Sequence, residues 1–183
     1  MPRKPATTKE AIVNAAFELV RKEGLDALTA RALAAALGCS TQPIMYQFPN
    51  LQDLRELVYQ RADELHTQYI LAGEDLLGIG MRYIQFAAEE PSLFKLLFQS
   101  GHFDGIGLQD LIQAPETAPL LEVAGLALDG DRSVVAKHFE ALYVAVHGYA
   151  SLVANNAMTY DPEAAKQTLV AIAEGLLQNG GQG

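Results

Sequence analysis

The sequence has few of the residues that disulfide-rich and cysteine-based zinc proteins require. Its 183 residues include one cysteine, no tryptophan and only 8% aromatic residues. A single cysteine, Cys39, excludes an intramolecular disulfide framework and a cysteine-rich zinc site. The amino end, MPRKPATTKE, is basic and polar without an apolar run behind it, which is unlike a signal peptide. We therefore expect a cytoplasmic protein with no metal site and no cofactor.

A stretch of 20 residues without Asp, Glu, Lys or Arg runs over residues 141–160. It contains His147, Gly148 and the pair Asn155-Asn156, a poor composition for the centre of a bilayer. The stretch therefore predicts a helix buried in protein, and we expect no membrane partner.

Basic residues are also scarce, with 13 against 22 acidic ones and a formal charge of −9. Such a balance normally argues against nucleic acid as a partner. Residues 1–65, however, hold eight bases and eight acids, so the whole negative charge belongs to residues 66–183. The first 31 residues hold six bases and four acids. The charge therefore does not exclude nucleic acid as a partner of the amino-terminal part.

Helical patterns dominate the chain, and strand patterns are nearly absent. Apolar residues recur at helical spacing, with glycine at helix ends and Ser, Asn or Asp-Pro at helix starts. The pattern predicts an all-α fold of about nine helices. The expected helices cover roughly residues 8–23, 29–37, 40–48, 51–72, 75–90, 92–100, 117–128, 131–158 and 162–178.

The spacing Ala34, Gly38, Ile44 is the most informative feature of the amino-terminal part. Two short helices that cross steeply need a small residue at the crossing, a residue tolerant of positive φ in the turn and an apolar anchor on the second helix. These three residues supply them in the order of a helix-turn-helix, with Met45 and Phe48 as further inner-face candidates. In that motif the second helix enters the major groove of DNA.

Polar residues at the start of the second helix are candidates for reading bases. Gln42 can pair with adenine, Thr41 can bond several bases, and Pro43 suits contact with a thymine methyl group. Tyr46, Gln47 and Thr29 can donate to phosphate oxygens. The complete set of candidate DNA contacts is Lys4, Thr29, Arg31, Ser40, Thr41, Gln42, Pro43, Tyr46 and Gln47.

A helical hairpin that only packs is the alternative interpretation of the same residues. Ser40 would then be a helix cap and Tyr46 an edge of the core. Polar residues at the start of so short a helix favour the DNA interpretation, because a packing helix requires apolar residues there.

The amino-terminal 60 residues resemble the tetracycline-repressor (TetR) family of transcriptional regulators. The resemblance rests on Ile12-x2-Ala15-Ala16, Gly24, Leu28-Thr29, Leu33-Ala34, Leu37-Gly38, Ser40, Tyr46-x-Phe48 and Asp53-Leu54. Gln47 stands where the family often has histidine, and Leu51 where it often has a lysine that binds phosphate. The third helix has no base, so we expect fewer phosphate contacts and a shallow dependence of DNA affinity on salt.

The resemblance implies two domains, a helix-turn-helix domain over residues 1–50 and an effector-binding and dimerisation domain over residues 51–179. Tyr143-x3-His147-Gly148 resembles the Trp-His-Gly signature of one TetR subclass, with tyrosine in place of tryptophan. In such proteins the last two helices, here 131–158 and 162–178, pair with their copies in a homodimer. A two-fold dimer suits a palindromic operator in double-stranded DNA.

The family also implies a small-molecule effector that releases a repressor from DNA, through movement of the long helix over residues 51–71. The candidate lining residues are five aromatic side chains and one histidine: Tyr83, Phe86, Phe94, Phe98, Tyr143 and His147. Such a lining predicts a small apolar effector. The alternative is that these residues are ordinary core, which Phe94 and Phe98 would be in any helical bundle because they lie four residues apart.

Three other functions compete with DNA binding. An enzyme is disfavoured because HExxH, G-x-S-x-G and Walker motifs are absent, and because the adjacent Glu89 and Glu90 would diverge on a helix. His102 and Asp104 are expected in a solvated glycine-rich loop. A redox switch at Cys39 is possible in principle, but a small buried plug is the simpler interpretation. A helical module that binds protein instead of DNA would have the same fold.

Overall fold

The computed structural model describes residues 7–101, 107–113, 117–127 and 132–180. All regular elements in these ranges are helical, which confirms the predicted all-α fold with its amino-terminal helix-turn-helix. The helices are α1 (Lys9–Glu23), α2 (Ala30–Leu37), α3 (Thr41–Gln47), α4 (Leu51–Leu71), α5 (Leu76–Glu89), α6 (Pro91–Gln99), α7 (Leu108–Gln113), α8 (Ala118–Ala127), α9 (Arg132–Ala154) and α10 (Pro162–Gly180).

Side-chain caps explain where several helices begin. The Thr29 hydroxyl accepts a hydrogen bond from the Ala32 N–H at 3.1 Å, and the Asn50 side chain accepts one from the Gln52 N–H at 2.9 Å. These bonds satisfy N–H groups that the first turn of a helix leaves without partners. Ser40 stands at the N-cap position of α3, but its side chain makes no capping bond.

The described helices differ in three places from those predicted. Helix α7 lies next to the glycines that indicated only a loop, because six residues are too few to show a helical period. A single 3₁₀ turn, Leu25–Ala27, also joins α1 to α2. Helix α9 ends at Ala154, before the predicted residue 158, since Asn156 adopts a positive φ of 56°.

The chain forms two compact units. The first contains Met1–His66 with Ser92–Ser100, and the second contains Thr67–Pro91 with Gly101–Gly183. Helix α4 runs through the division, which falls inside it and not at its start. The functional boundary between residues 50 and 51 stays a prediction.

The first unit has a core built from α1 to α4 and α6. Its fully buried side chains include Ile12, Val20, Leu33, Ile44, Phe48, Leu54, Val58, Leu93 and Leu97. Helix α2 packs on both α1 and α3. This packing holds α3 by its inner face, so its other face is left to solvent.

The second unit is a bundle in which α5 packs against α9, α10 and α8. One cluster of its core consists of Ile112, Ala124, Val135, Phe139 and Leu142, with residues of α5, α8 and α10 packed around it. Gly80 lies where α5 meets α9 and α10, since an added Cβ would come within 3.2 Å of Leu169 and 3.5 Å of Val146. A small residue is therefore needed at this crossing.

The uncharged stretch over residues 141–160 forms the second half of α9 and the turn after it. Ala150 and Ala154 are fully buried, whereas Val144 and Leu152 are 53% and 49% exposed. Along the described parts of the chain, no helix combines the length and the apolar character needed to cross a membrane.

His66 is a buried polar side chain of α4, with 6% of its surface exposed. Its ring meets the ring of Phe98 edge-on at a centroid distance of 5.2 Å. Burial lowers the pKa of His66 from 6.5 to about 4, because the charged imidazolium loses its hydration.

We predict that His66 makes the protein sensitive to mild acid. Between pH 6.5 and 4 the unfolded chain binds a proton at this residue and the folded chain does not, so the free energy of unfolding falls as the pH falls through that window. The full loss is about 3 kcal/mol. Urea unfolding of the wild type and of His66→Gln at pH 7, 5.5 and 4 measures it. Equal losses in the two proteins would contradict the prediction, because all other titrating groups are shared.

Candidate nucleic-acid interface and ligand cavity

The turn between α2 and α3 has the geometry that its sequence predicts. Gly38 adopts a left-handed conformation with a φ of 62°, and the N–H of Cys39 donates to the carbonyl of Ala34 at 3.0 Å. A left-handed residue after a helix is best supplied by glycine. Ala34 and Ile44 are both buried, as expected of the crossing point and the anchor.

The outer face of α3 carries polar side chains. Thr41, Gln42 and Tyr46 are exposed, with Tyr46 at 86%, and Pro43 is half-buried. Met45 is 39% exposed, so its prediction as an inner-face residue was wrong. Two anchors one turn apart already fill the space beneath this short helix, namely Ile44 and Phe48.

The other residues that the sequence predicts as DNA contacts near α3 are also exposed. Thr29, Arg31 and Ser40 are exposed residues of the first unit. The Thr29 oxygen accepts the capping bond from Ala32, but its O–H can still donate to a phosphate oxygen. Lys4 lies outside the described residues.

Gln47 has a contact that sequence reasoning did not anticipate. Its side-chain amide donates a hydrogen bond to the backbone carbonyl of Thr7, and the residue is half-buried. Next to it, the Lys9 ammonium lies 5.4 Å from the ring centre of Phe48. These two contacts fasten the start of α1 to the end of α3, so the Gln47 amide already has a structural partner.

A cavity of about 330 Å³ lies inside the second unit. Side chains of α4, α5, α8, α9 and α10 line it, and most of them are aliphatic or aromatic. The lining residues are Ile70, Asp75, Leu76, Leu77, Ile79, Gly80, Tyr83, Leu120, Phe139, Leu142, Tyr143, Val146, Leu169, Val170, Ala173 and Glu174. A cavity of this size and composition suits a small, largely apolar molecule.

The predicted effector residues divide into three groups. Tyr83 and Tyr143 line the cavity, whereas His147 lies behind them and contacts Tyr83. Phe86 is fully buried but does not line the cavity. Phe94 and Phe98 belong to the first unit, where their rings pack against each other at 4.9 Å.

Tyr83, Tyr143 and His147 form one aromatic cluster in the cavity wall. The Tyr83 hydroxyl lies 2.8 Å from Nδ1 of His147, and the rings of Tyr143 and His147 are stacked with centroids 5.8 Å apart. Burial raises the pKa of Tyr83 and of Tyr143, and it lowers the pKa of His147. All three side chains are therefore held neutral, and the neutral imidazole can accept a hydrogen bond from the Tyr83 hydroxyl.

Sequence reasoning missed the aliphatic lining. On α10, Leu169, Val170 and Ala173 face the cavity, and on α9 Val146 does. Their spacing is that of any buried helix face, so no signal in the sequence separates a cavity wall from a filled core.

The carboxyl end of α4 is fastened to α5 beside the cavity residue Ile70. The Tyr69 hydroxyl donates to a Glu89 carboxylate oxygen at 2.7 Å, and the Arg82 guanidinium donates to the Tyr69 carbonyl at 3.2 Å. Burial and the Glu89 carboxylate raise the pKa of Tyr69 to about 12, and the bond from Tyr69 lowers the pKa of Glu89. The end of α4 is thus coupled to the helix that supplies much of the cavity wall.

Comparison with known proteins supports a regulator. Residues 12–58 match the family model described as bacterial regulatory proteins, tetR family. A structure of a TetR family member from Streptomyces coelicolor A3 has a TM-score of 0.53 and 20% sequence identity, covering 90% of this chain and 96% of that one. The multidrug binding protein EbrR, complexed with imidazole, has a TM-score of 0.53 and 22% identity over 94% and 93% of the two chains. No curated protein matches the chain.

The matched segment contains α1, α2, α3 and the start of α4, so it coincides with the helix-turn-helix described above. Residues 12–58 therefore resemble the amino-terminal domain of tetR regulatory proteins, and the fold of the chain is similar to that of the two solved structures. The family model that matches residues 12–58 describes regulatory proteins, which favours a regulator over the enzyme alternative.

We predict that the Tyr83 hydroxyl stabilises the second unit. Tyr83→Phe leaves His147 without this bond in a half-buried site, which should lower the free energy of unfolding by about 1 kcal/mol. Tyr46→Phe is the matched control, since that hydroxyl is exposed on α3 and its loss should change stability by less than about 0.5 kcal/mol. Urea unfolding compares the two, and equal effects would contradict the assignment.

Proposed function

We propose that the protein is a transcriptional repressor that binds a palindromic operator as a homodimer and is released by a small, largely apolar effector. The observation that carries the proposal is the polar, exposed face of α3, which follows a helix-turn-helix turn within the tetR-family segment. A helix held by Ile44 and Phe48 on one side presents its other side to the major groove.

Three residues at the start of α3 are proposed to read bases. Gln42 is exposed and can form two hydrogen bonds with adenine, Thr41 can donate or accept, and Pro43 can touch a thymine methyl group. Phosphate contacts are proposed for Tyr46 and Arg31, with Thr29, Ser40, Gln47 and Lys4 as further candidates. The Gln47 amide would have to give up its bond to Thr7 to take part.

Electrostatic attraction supplies less of the affinity than in most DNA-binding domains. Helix α3 carries no Lys or Arg, and residues 1–65 have no net charge. Few displaced counterions mean a shallow dependence of affinity on salt, so specificity has to come from the base contacts of α3.

Selection of binding sites from a random double-stranded DNA library tests the proposal. We expect a palindromic consensus with half-sites about one helical turn apart. Gln42→Ala should relax the preference at one base pair and weaken binding by about 1–3 kcal/mol, whereas Tyr46→Phe should weaken all sequences alike. Gln60→Ala, at an exposed position of α4, is the control. An unenriched library would favour a protein-binding module and overturn the repressor.

The homodimer is proposed to form through α9 and α10. Val144 and Leu152 are large exposed apolar side chains, and Gly148 lies midway between them at helical spacing. An added Cβ on Gly148 would meet no atom within 4 Å, so this face is open in the single chain. An exposed apolar strip on an otherwise buried helix is typical of a surface that a partner covers.

Val144→Asp should convert the dimer to a monomer and abolish operator binding, because a carboxylate would be buried at the interface without a partner. The single chain should still fold, since Val144 is 53% exposed. Leu71→Asp, at the exposed end of α4, is the matched control and should stay dimeric. Sedimentation velocity and circular dichroism report assembly and fold. A wild type that is monomeric at micromolar concentration would contradict the proposed dimer.

The effector is proposed to occupy the cavity of the second unit. Ile70, near the end of α4, lines that cavity, and the same helix buries Leu54 and Val58 in the core of the first unit. A ligand that prefers one position of α4 would shift the population of DNA-binding conformations. The stacking of Tyr143 on His147 is consistent with the proposed relation to the Trp-His-Gly subclass. We also propose that this regulator works in the cytoplasm.

A further inference from the structure

We propose that the cavity selects hydrophobic organic cations, with the positive group near Asp75 and Glu174 and the apolar part between the aliphatic and tyrosine walls. The inference rests on the proposed function, since it names the chemical class of the effector. A protonated or quaternary amine joined to an aromatic or branched aliphatic body fits this description.

The charge of the lining is of one sign. Asp75 and Glu174 line the cavity, and among the described residues of its lining none is Lys, Arg or His. Both carboxylates belong to exposed residues, so they stand where the cavity meets solvent. Within the part of the chain that the structure describes, no ion pair involves either residue. A cationic ligand therefore meets two negative charges at the entrance, and an anionic ligand is repelled by both.

Both carboxylates lie next in sequence to residues of one core cluster. Leu76 and Ala173, their immediate neighbours in the sequence, pack against the same core cluster around Phe139 and Leu142. Asp75 is also fixed in place, because its carboxylate accepts a hydrogen bond from the Gly78 N–H at 2.7 Å as the cap of α5. A charge held by the fold loses little side-chain freedom when a ligand binds.

The tyrosines do not offer a competing polar site. The Tyr83 hydroxyl is paired with His147, and the hydroxyls of Tyr83 and Tyr143 also bond to each other. What these residues add to the wall is aromatic surface, which attracts cations through the negative face of the ring. A polar group on a ligand therefore finds its complement at the carboxylates.

The wider charge distribution acts in the same direction. Residues 66–183 carry 14 acids and five bases, which accounts for the entire net charge of −9. Such a field concentrates cations near the second unit and disfavours anions at low salt. Local and long-range electrostatics thus select the same class of ligand.

Competition binding with two ions of opposite charge tests the inference. N-phenyl-1-naphthylamine, a neutral dye that fluoresces in apolar surroundings, reports occupancy of the cavity in the full-length protein. Benzyltrimethylammonium and benzylsulfonate share a benzyl group and a tetrahedral head, and benzyl alcohol is the neutral reference. At equal ionic strength we expect the cation to displace the dye at a concentration about tenfold lower than the anion.

The double variant Asp75→Asn/Glu174→Gln removes both charges and keeps the shape, and asparagine preserves the cap of α5. It should weaken the cation about five- to tenfold, strengthen the anion and leave benzyl alcohol unchanged. Glu163→Gln is the control, since Glu163 is exposed on the same helix as Glu174 but does not line the cavity. Val146→Trp, which fills the cavity, should abolish binding of the dye.

Three outcomes separate this inference from the proposed function. Equal displacement by both ions, or a double variant that behaves like the wild type, overturns cation selection and leaves the effector cavity standing. A dye that does not bind, or that binds Val146→Trp as well as the wild type, overturns the cavity and cation selection with it. Selective cation binding that leaves operator affinity unchanged supports the inference and overturns the effector role.

Discussion

Burial of one helix in two separate cores is the constraint on which the rest of the structure depends. Helix α4 places Leu54, Val58 and Ala62 in the core of the first unit and Ile70 in that of the second. The helix is continuous over 21 residues, from Leu51 to Leu71. Tyr69 and Arg82 fasten that carboxyl end to α5, so the cavity wall and α4 are mechanically coupled.

Both units are built from helices, but their cores are packed to different extents. In the first unit, short helices bury Ile44 and Phe48 completely, and the exposed face of α3 is mostly polar, with Met45 as an apolar exception. In the second unit, packing stops short of filling the space between α5, α9 and α10, where Gly80 permits close approach and a cavity of about 330 Å³ remains. A filled core is rigid, whereas an unfilled one leaves room for a small molecule.

The net charge also differs between the amino-terminal part of the chain and the remainder. Residues 1–65 carry no net charge, so they hold no excess of positive charge that would attract phosphate. The remainder is acidic and includes the two carboxylates at the mouth of the cavity. An overall negative charge is thus compatible with DNA binding, because the charge that would oppose it is carried by other residues.

The sequence by itself determined the all-α fold, the helix-turn-helix and the starts of most helices, since caps, glycines and apolar periods act over a few residues. It also indicated that Thr41, Gln42 and Tyr46 lie on the outer face of α3, because a short packed helix keeps its polar residues in solvent. Only the tertiary structure decided that Gln47 is bonded to Thr7, that Phe94 and Phe98 lie outside the cavity unit, and that Leu169 and Val170 line the cavity. Those facts depend on contacts between residues tens of positions apart in the sequence. In addition, an aliphatic residue gives the same sequence pattern whether its side chain packs against a neighbour or lines an empty space.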